Sequence, residues 1–414
     1  MLELLPRHST GLATEILDAF PALVIQGARQ VGKSTFAGQL TQGRPARIVT
    51  LDDEATFGAA ASDGAAFVEQ FPEGTLVIDE LQRLPHLLLA LKASIDRDRR
   101  ASRFVLTGSS NLLRLPRTPE SLAGRAATIE LSPLSQGEIT AHNGDLATKL
   151  RSGVDAAVFS TTWTRIDYAT AIARGGYPEA RKLSPRLRNV WFDSYIQRLL
   201  ERDLGDIAPR VEPSRVAAIL RLVAASQAGE LVKARIARDA GIPESSATAY
   251  LDLLETMYLT RRVAPWTPNL TSREVARPKV IVNDSGLALR LARLTEQQLI
   301  PLGNAWMGPA MEGFVMGELL KQQPLATEEH EIFHFRDRDG LEVDAVIEFH
   351  DGSVIGLEIK SGSTTKGDHF KGLIALRDRL GDRFLGGYVL NTAAHGSFFG
   401  DRLAALPVSA IWEL

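Results

Sequence analysis

Residues 27–34 read Gly-Ala-Arg-Gln-Val-Gly-Lys-Ser, which fits G-x-x-x-x-G-K-[ST] at every fixed position. The string follows the apolar run Ala22–Gln26 and precedes a helix-like stretch, the context in which such a loop turns its backbone N–H groups toward a bound anion. That context requires a strand, a tight turn and a helix packed back on the strand, so the N-terminal third is expected to be α/β with a parallel sheet. Ala22–Gln26, Ile48–Leu51, Leu76–Ile78 and Phe104–Thr107 are four strand candidates. Each is short and apolar without alternation, which predicts a sheet covered on both faces.

The loop chemistry names its own residues. Gly27 and Gly32 allow the turn, and the N–H groups from Ala28, Arg29, Gln30, Val31, Lys33, Ser34 and Thr35 can face a triphosphate. Lys33 can reach the β- and γ-phosphates, and Ser34 can ligate Mg²⁺. Leu76-Val77-Ile78-Asp79-Glu80 supplies a second acidic pair. Asp79, at the end of an apolar strand, can hold the magnesium shell, and Glu80 can polarise an attacking water. Ser109 and Ser110-Asn111 follow the next strand, where a γ-phosphate sensor would sit. Arg125 is placed to stabilise transition-state charge, in cis or from a neighbouring subunit. Arg29 fits equally well as a surface ion-pair partner.

Length, charge and composition bound the rest. At 414 residues the chain exceeds one small domain, and 44% hydrophobic with 23% charged residues supports packed cores. The 47 basic and 50 acidic side chains leave a net charge of −3, so a polyanion would have to be gripped locally. The absence of cysteine excludes disulfides, cysteine-ligated zinc, iron–sulfur clusters and a thiol nucleophile. There is no signal-peptide pattern at the N-terminus and no run of about 18 apolar residues, so the expectation is a soluble cytoplasmic protein with no membrane partner.

Residues 214–256 read as three helices opening at an N-cap Ser214, with breaks at Gly229 and at Gly241-Ile242-Pro243, a helix-turn-helix pattern. Val263–Trp266 and Val280–Val282 are expected as strands of a wing. Arg235, Arg238, Ser245, Ser246, Thr248 and Tyr250 lie on the helices, and Arg261, Arg262, Arg273, Arg277 and Lys279 gather at the wing. A winged helix binding DNA and a protein-packing module with a basic edge both fit.

The last hundred residues change pattern again. A helix over Ala310–Lys321 precedes strands Glu331–Phe335, Leu341–Phe349 and Val354–Lys360, with turns at Asp339-Gly340 and Asp351-Gly352. A final helix near His369–Leu380 and a strand near Gly386–Leu390 are expected to close the chain. Glu358 and Lys360 share one strand face, and Asp344 joins them from the neighbouring strand, giving D…E-x-K. Two carboxylates can bind hard divalent cations, and a lysine can orient the metal-bound water during phosphodiester attack. Glu312 resembles a helix-borne acid added to such sites. Lys366, His369 and Lys371 fit either phosphate contacts or a solvated helix start. His330-Glu331-Ile332-Phe333-His334 matches H-E-x-x-H but reads as a strand, where four residues span about 13 Å and cannot share one zinc.

The blocks GARQVGKST, LVIDELQRLP, FVLTGSSNLL and SLAGRAATIELSPLSQGEI resemble a large bacterial and archaeal family of AAA-type P-loop ATPases fused to a C-terminal region long labelled as of unknown function. GGYPEA, YIQRLLERDLGDI, YLDLLETMYLTRRVAPW and KVIVNDSGLALRL resemble that region. The resemblance implies an ATPase domain over 1–140, a helical and winged-helix segment over 141–300, and an α/β restriction-endonuclease-like domain over 301–414. The expected function is ATP binding and hydrolysis with Mg²⁺, coupled to DNA, with metal-dependent cleavage by the end domain, where Mn²⁺ can replace Mg²⁺. The rival is a nucleotide-switched DNA- or protein-binding regulator whose end domain cuts nothing. A small-molecule kinase fits less well, because helices and a wing follow where a lid would be needed. Arg125 acting in trans would need a homo-oligomer.

Overall fold

The computed structural model describes residues 4–109, 122–208, 211–268, 277–337 and 340–414; Ser110, Asn111, Arg273 and Asp339 lie outside the described residues. The chain forms two compact units, one of Met1–Leu134 with Tyr177–Glu179 and Glu255–Leu259, the other of Ser135–Gly176, Ala180–Leu254 and Thr260–Leu414. The middle and end segments expected on either side of residue 300 thus lie in one unit. Among the described residues no helix is long and apolar enough to cross a membrane.

The first unit is a parallel sheet in the order β2-β3-β4-β1-β5, with β1 Ala22–Gln26, β2 Ala46–Thr50, β3 Thr75–Asp79, β4 Phe104–Gly108 and β5 Ala126–Glu130. β1 and β4 are wholly buried, as apolar runs in a doubly covered sheet should be. β2 and β5 are edges and partly exposed, so covering on both faces holds for the inner strands only. β5 was not expected, because Ala-Ala-Thr-Ile-Glu carries no apolar run. Helix Leu87–Arg97 buries Leu87, Leu88, Leu91 and Ile95 against this sheet's core, the stripe of an amphipathic helix.

Helices dominate the first half of the second unit. Pro213–Ala225, Lys233–Ala240 and Glu244–Thr256 form where three were expected. The first opens two residues earlier than the expected N-cap Ser214: Glu212 is the N-cap and Pro213 occupies the first turn, where its missing N–H is harmless. β6 Thr260–Val263 pairs antiparallel with β7 Lys279–Val282. Val263–Trp266 therefore is not the wing strand. Trp266 is 1% exposed and its backbone N–H bonds the His334 carbonyl, so the indole's burial draws this segment toward the second sheet.

That sheet is mixed, in the order β12-β13-β11-β10-β9-β8, with β8 His330–Arg336, β9 Glu342–Phe349, β10 Val354–Ile359, β11 Phe384–Asn391, β12 Ser397–Gly400 and β13 Leu403–Pro407. β8, β9 and β10 make an antiparallel meander, while β10, β11 and β13 run parallel. Helix Met307–Gln322 packs in one apolar core with Ile347, Ile355 and Leu357, and helix Lys371–Leu380 in another with Val343, Val346 and Val354. A Cβ at Gly372 would lie 2.0 Å from the Glu342 carbonyl oxygen, so only glycine lets this helix approach β9. The chain does not close at β11: β12, β13 and helix Ala410–Glu413 follow.

Candidate functional site

In a parallel sheet all strands point one way, so the residues after them collect at one edge. Gln26 of β1 is level with Gly108 of β4 and Glu130 of β5, which puts the 27–34 loop and Ser109 together at the carboxyl edge. Gly27 has φ +151°, and a Cβ there would meet the Leu131 carbonyl oxygen at 2.2 Å. Gly32 (φ +99°) is the N-cap of helix Lys33–Leu40, and Gln30 takes the left-handed conformation at φ +62°. Ala28 and Val31 are buried and Arg29 is half-buried, while Gln30, Ser34 and Thr35 are exposed.

Lys33 is 4% exposed and its Nζ donates to the carbonyls of Gly27 and Ala28 at 3.1 and 2.9 Å. Ser34 Oγ donates to the Asp79 carboxylate at 2.8 and 3.0 Å, a hydroxyl and an acid brought together from 45 residues apart. Thr107 Oγ1 also donates to Asp79, and accepts from the Glu80 backbone N–H at 3.2 Å. Glu80 sits at φ +58°, an uncommon conformation for a residue with a side chain. Gln82 joins the acid to the next strand's loop: its Nε2 donates to Glu80 and, at 2.8 Å, to Ser109 Oγ, and its Oε1 accepts from the Ser109 N–H at 3.3 Å.

Two positions carry no motif and were missed by sequence reasoning. Gln82 is one, though its place two residues after Glu80 was a usable signal. Arg7 is the other: it donates to the Val31 carbonyl at 3.0 Å and the Ser132 carbonyl at 2.6 Å, holding the loop from below. Arg125 lies elsewhere. It precedes β5, whose first residue is level with Ala22, so it sits at the amino edge of the sheet, about 13 Å of strand from the loop edge. There it makes a two-pronged ion pair with Asp96, at 2.7 and 2.9 Å. A role for Arg125 in cis does not fit this position.

The second unit gathers the other expected set. Asp344 on β9 accepts from the Ile359 N–H at 2.8 Å, and Lys360 Nζ reaches Glu358 at 2.5 Å on the same strand face. Glu312, from helix Met307–Gln322, faces them. Lys279, read from sequence as a wing cation, is instead 7% exposed and donates to Glu312 at 2.5 Å, with Asp344 3.6 Å away. Burial first, and then the Asp344 charge, push Glu312 and Glu358 each up to about 7, against the pull of Lys279 and Lys360. Burial opposes the charge on Lys279, but Glu312 and Asp344 outweigh it and hold the ammonium above its ordinary range.

The donor chemistry suits a hard cation, and Glu358 Oε2 is buried with no hydrogen-bond partner. Among the described residues, however, no three His, Asp or Glu side chains stand close enough to hold a metal ion. Lys366 and Lys371 are exposed, the latter paired with Asp368, and His369 is held below its ordinary range by burial and by Lys360.

Around β6, Arg262 pairs with Asp252 at 2.7 Å and Arg261 reaches the Leu320 carbonyl at 3.4 Å. Arg235 and Arg238 are exposed beside Asp239; Ser245 is exposed, and Ser246, Thr248 and Tyr250 are half-buried. His330 and His334 lie on β8, so the H-E-x-x-H string forms no helical zinc pair.

A five-stranded parallel sheet with a Gly-Lys-Ser loop after β1 and an acid ending β3, two strands away across β4, defines a P-loop nucleoside-triphosphatase fold. The AAA domain family matches residues 19–140, a domain of unknown function (DUF8612) matches 165–298, and another (DUF4143) matches 307–411. The chain is thus an AAA-type P-loop ATPase domain followed by these two domains. It is similar to uncharacterized proteins of Mycobacterium tuberculosis and Mycobacterium bovis, each 28% identical over 362 residues, covering 86% of this chain and 74% of the relative. Among solved structures it is similar to a Walker-type ATPase of Pyrococcus abyssi, with 18% identity and a TM-score of 0.42, covering 70% of this chain and 96% of that one. A STAND signal-transduction ATPase of Pyrococcus horikoshii has 12% identity and a TM-score of 0.29, covering 78% and 46%.

Proposed function

We propose that the first unit binds ATP with Mg²⁺ and hydrolyses it at the carboxyl edge of the parallel sheet. The observation that carries this reading is the meeting of Ser34 with Asp79 beside Lys33 and the Glu80–Gln82–Ser109 chain. Mg²⁺, when bound, would supply positive charge against the phosphates, and Ser34 and Asp79 would hold it. Lys33 would exchange the Gly27 and Ala28 carbonyls for phosphate oxygens, while the backbone N–H groups from Ala28 to Thr35 cradle the chain of phosphates. Glu80 would draw the proton side of the attacking water, with Gln82 fixing its carboxylate and Ser109 facing the γ-phosphate. Replacing Glu80→Gln should leave ATP binding near wild type and lower turnover at least ~100-fold; equal turnover would remove Glu80 from the role.

For the second unit, we read 141–300 as a helical and winged-helix segment that engages DNA and 301–414 as a restriction-endonuclease-like domain. Asp344 and Glu358, with Glu312, would hold Mg²⁺ or Mn²⁺, and Lys360 would orient the attacking water. The convergence of these four side chains from one helix and two strands supports that reading. A second reading, a nucleotide-switched regulator that cuts nothing, is favoured by Lys279, which spans Glu312 and Asp344. Linear, branched and single-stranded DNA incubated with the protein and Mn²⁺ separates the two. Cleavage that Lys360→Ala abolishes supports the nuclease, and no cleavage on any substrate supports the regulator. Arg125 would act only in trans, in a homo-oligomer.

A further inference from the structure

Among the described residues, Lys279 is the cation that touches both Glu312 of the helix and Asp344 of β9 in the end-domain cluster. Its backbone belongs to β7, where it pairs with Val263 of β6 and bridges to Glu230. Its flanks are tied down as well: the Leu231 N–H bonds the Pro278 carbonyl at 2.8 Å, and the Val280 N–H bonds the Gly229 carbonyl at 3.2 Å. The side chain then leaves this anchored strand, 9% exposed, to end between Glu312 at 2.5 Å and Asp344 at 3.6 Å. A divalent cation draws carboxylate oxygens to about 2.0–2.6 Å. The ammonium therefore stands where such an ion would have to sit to use both acids. Lys360 differs: its ammonium bonds Glu358, while Glu312 and Asp344 feel only its charge.

We propose that Lys279 is an internal counter-ion that keeps a divalent cation off the Glu312–Asp344 pair, so that the cation binds only when Lys279 withdraws. The inference rests on the metal-site reading of the end domain and adds to it a condition that the D…E-x-K pattern does not contain. The physical basis is competition. Two positive charges cannot share the space between two carboxylates in a buried site, and an ammonium already paired there must be displaced before the ion enters.

The test is Mn²⁺ binding to the full chain without nucleotide, followed by titration calorimetry and by the electron-spin signal of free Mn²⁺. Lys279→Met alone leaves two buried acids uncompensated and can fail to fold, so the comparison is Glu312→Gln against the double variant Lys279→Met/Glu312→Gln, which keeps the cluster's net charge at its natural value. The double variant should bind Mn²⁺ at least ~10-fold more tightly than Glu312→Gln, and adding Asp344→Asn should abolish the gain. Equal, measurable affinities that Asp344→Asn removes would overturn the exclusion by Lys279 while leaving the metal site standing. No binding by either variant would overturn both.

Discussion

At the scale of single residues, His334 shows how burial decides chemistry that a motif suggests. Its Nε2 lies 3.1 Å from the Arg277 carbonyl, which can only accept, so the ring carries its proton on Nε2. Nδ1 is then a buried acceptor with no hydrogen-bond partner. Burial, and after it the Lys279 charge, push the imidazole down to about 4. The unfolded chain, with a histidine near 6.5, binds the proton more readily than the folded one between those values. The stability from a neutral His334 is therefore fully present above about pH 6.5 and is lost as pH falls toward 4, by about 3 kcal/mol in all. Urea unfolding at pH 7.5, 6 and 5 should show this loss in the wild type and a shallower one in His334→Gln, which keeps the donor without the titration. Parallel pH profiles would remove His334 from the account.

At the scale of elements, the Gly175-Gly176 break and the helix Ser285–Leu291 meet through one carboxylate. Asp284 is 1% exposed and accepts from the Gly176 N–H at 2.6 Å and the Leu287 N–H at 2.8 Å, so it caps the helix and fixes the break together. Asp284→Ala would orphan both buried donors, at a cost of about 2–4 kcal/mol read as a lower denaturation midpoint; an unchanged midpoint would mean that the backbone finds other partners. This also gives the GGYP and NDSG blocks a structural reason that no chemistry had supplied.

Inner strands were legible because β1, β3 and β4 are bare apolar runs between turns, whereas β5 and β12 are exposed edges whose composition carries no such signal. The nucleotide-loop side chains were legible because each stands in a contiguous motif. Arg7 and the pairing of Lys279 were not, since both depend on contacts between segments far apart in sequence.

At the scale of the whole molecule, the first unit is not a continuous stretch of chain. It takes in Glu255–Leu259, and Tyr258 from that segment donates its hydroxyl to Gln26 Oε1 at 2.7 Å, next to Gly27 of the loop. Linear reading could place a boundary near residue 140, but not a return of the chain 120 residues later to the strand that carries the loop. The near-neutral net charge has a local counterpart in the end-domain cluster, where lysines answer acids side by side. The proposed ATP site belongs to this first unit. Phosphate release from Mg²⁺-ATP by the purified full chain tests it most directly: wild type should turn ATP over and Lys33→Ala should fall at least ~100-fold, whereas turnover undiminished in Lys33→Ala would contradict the assignment.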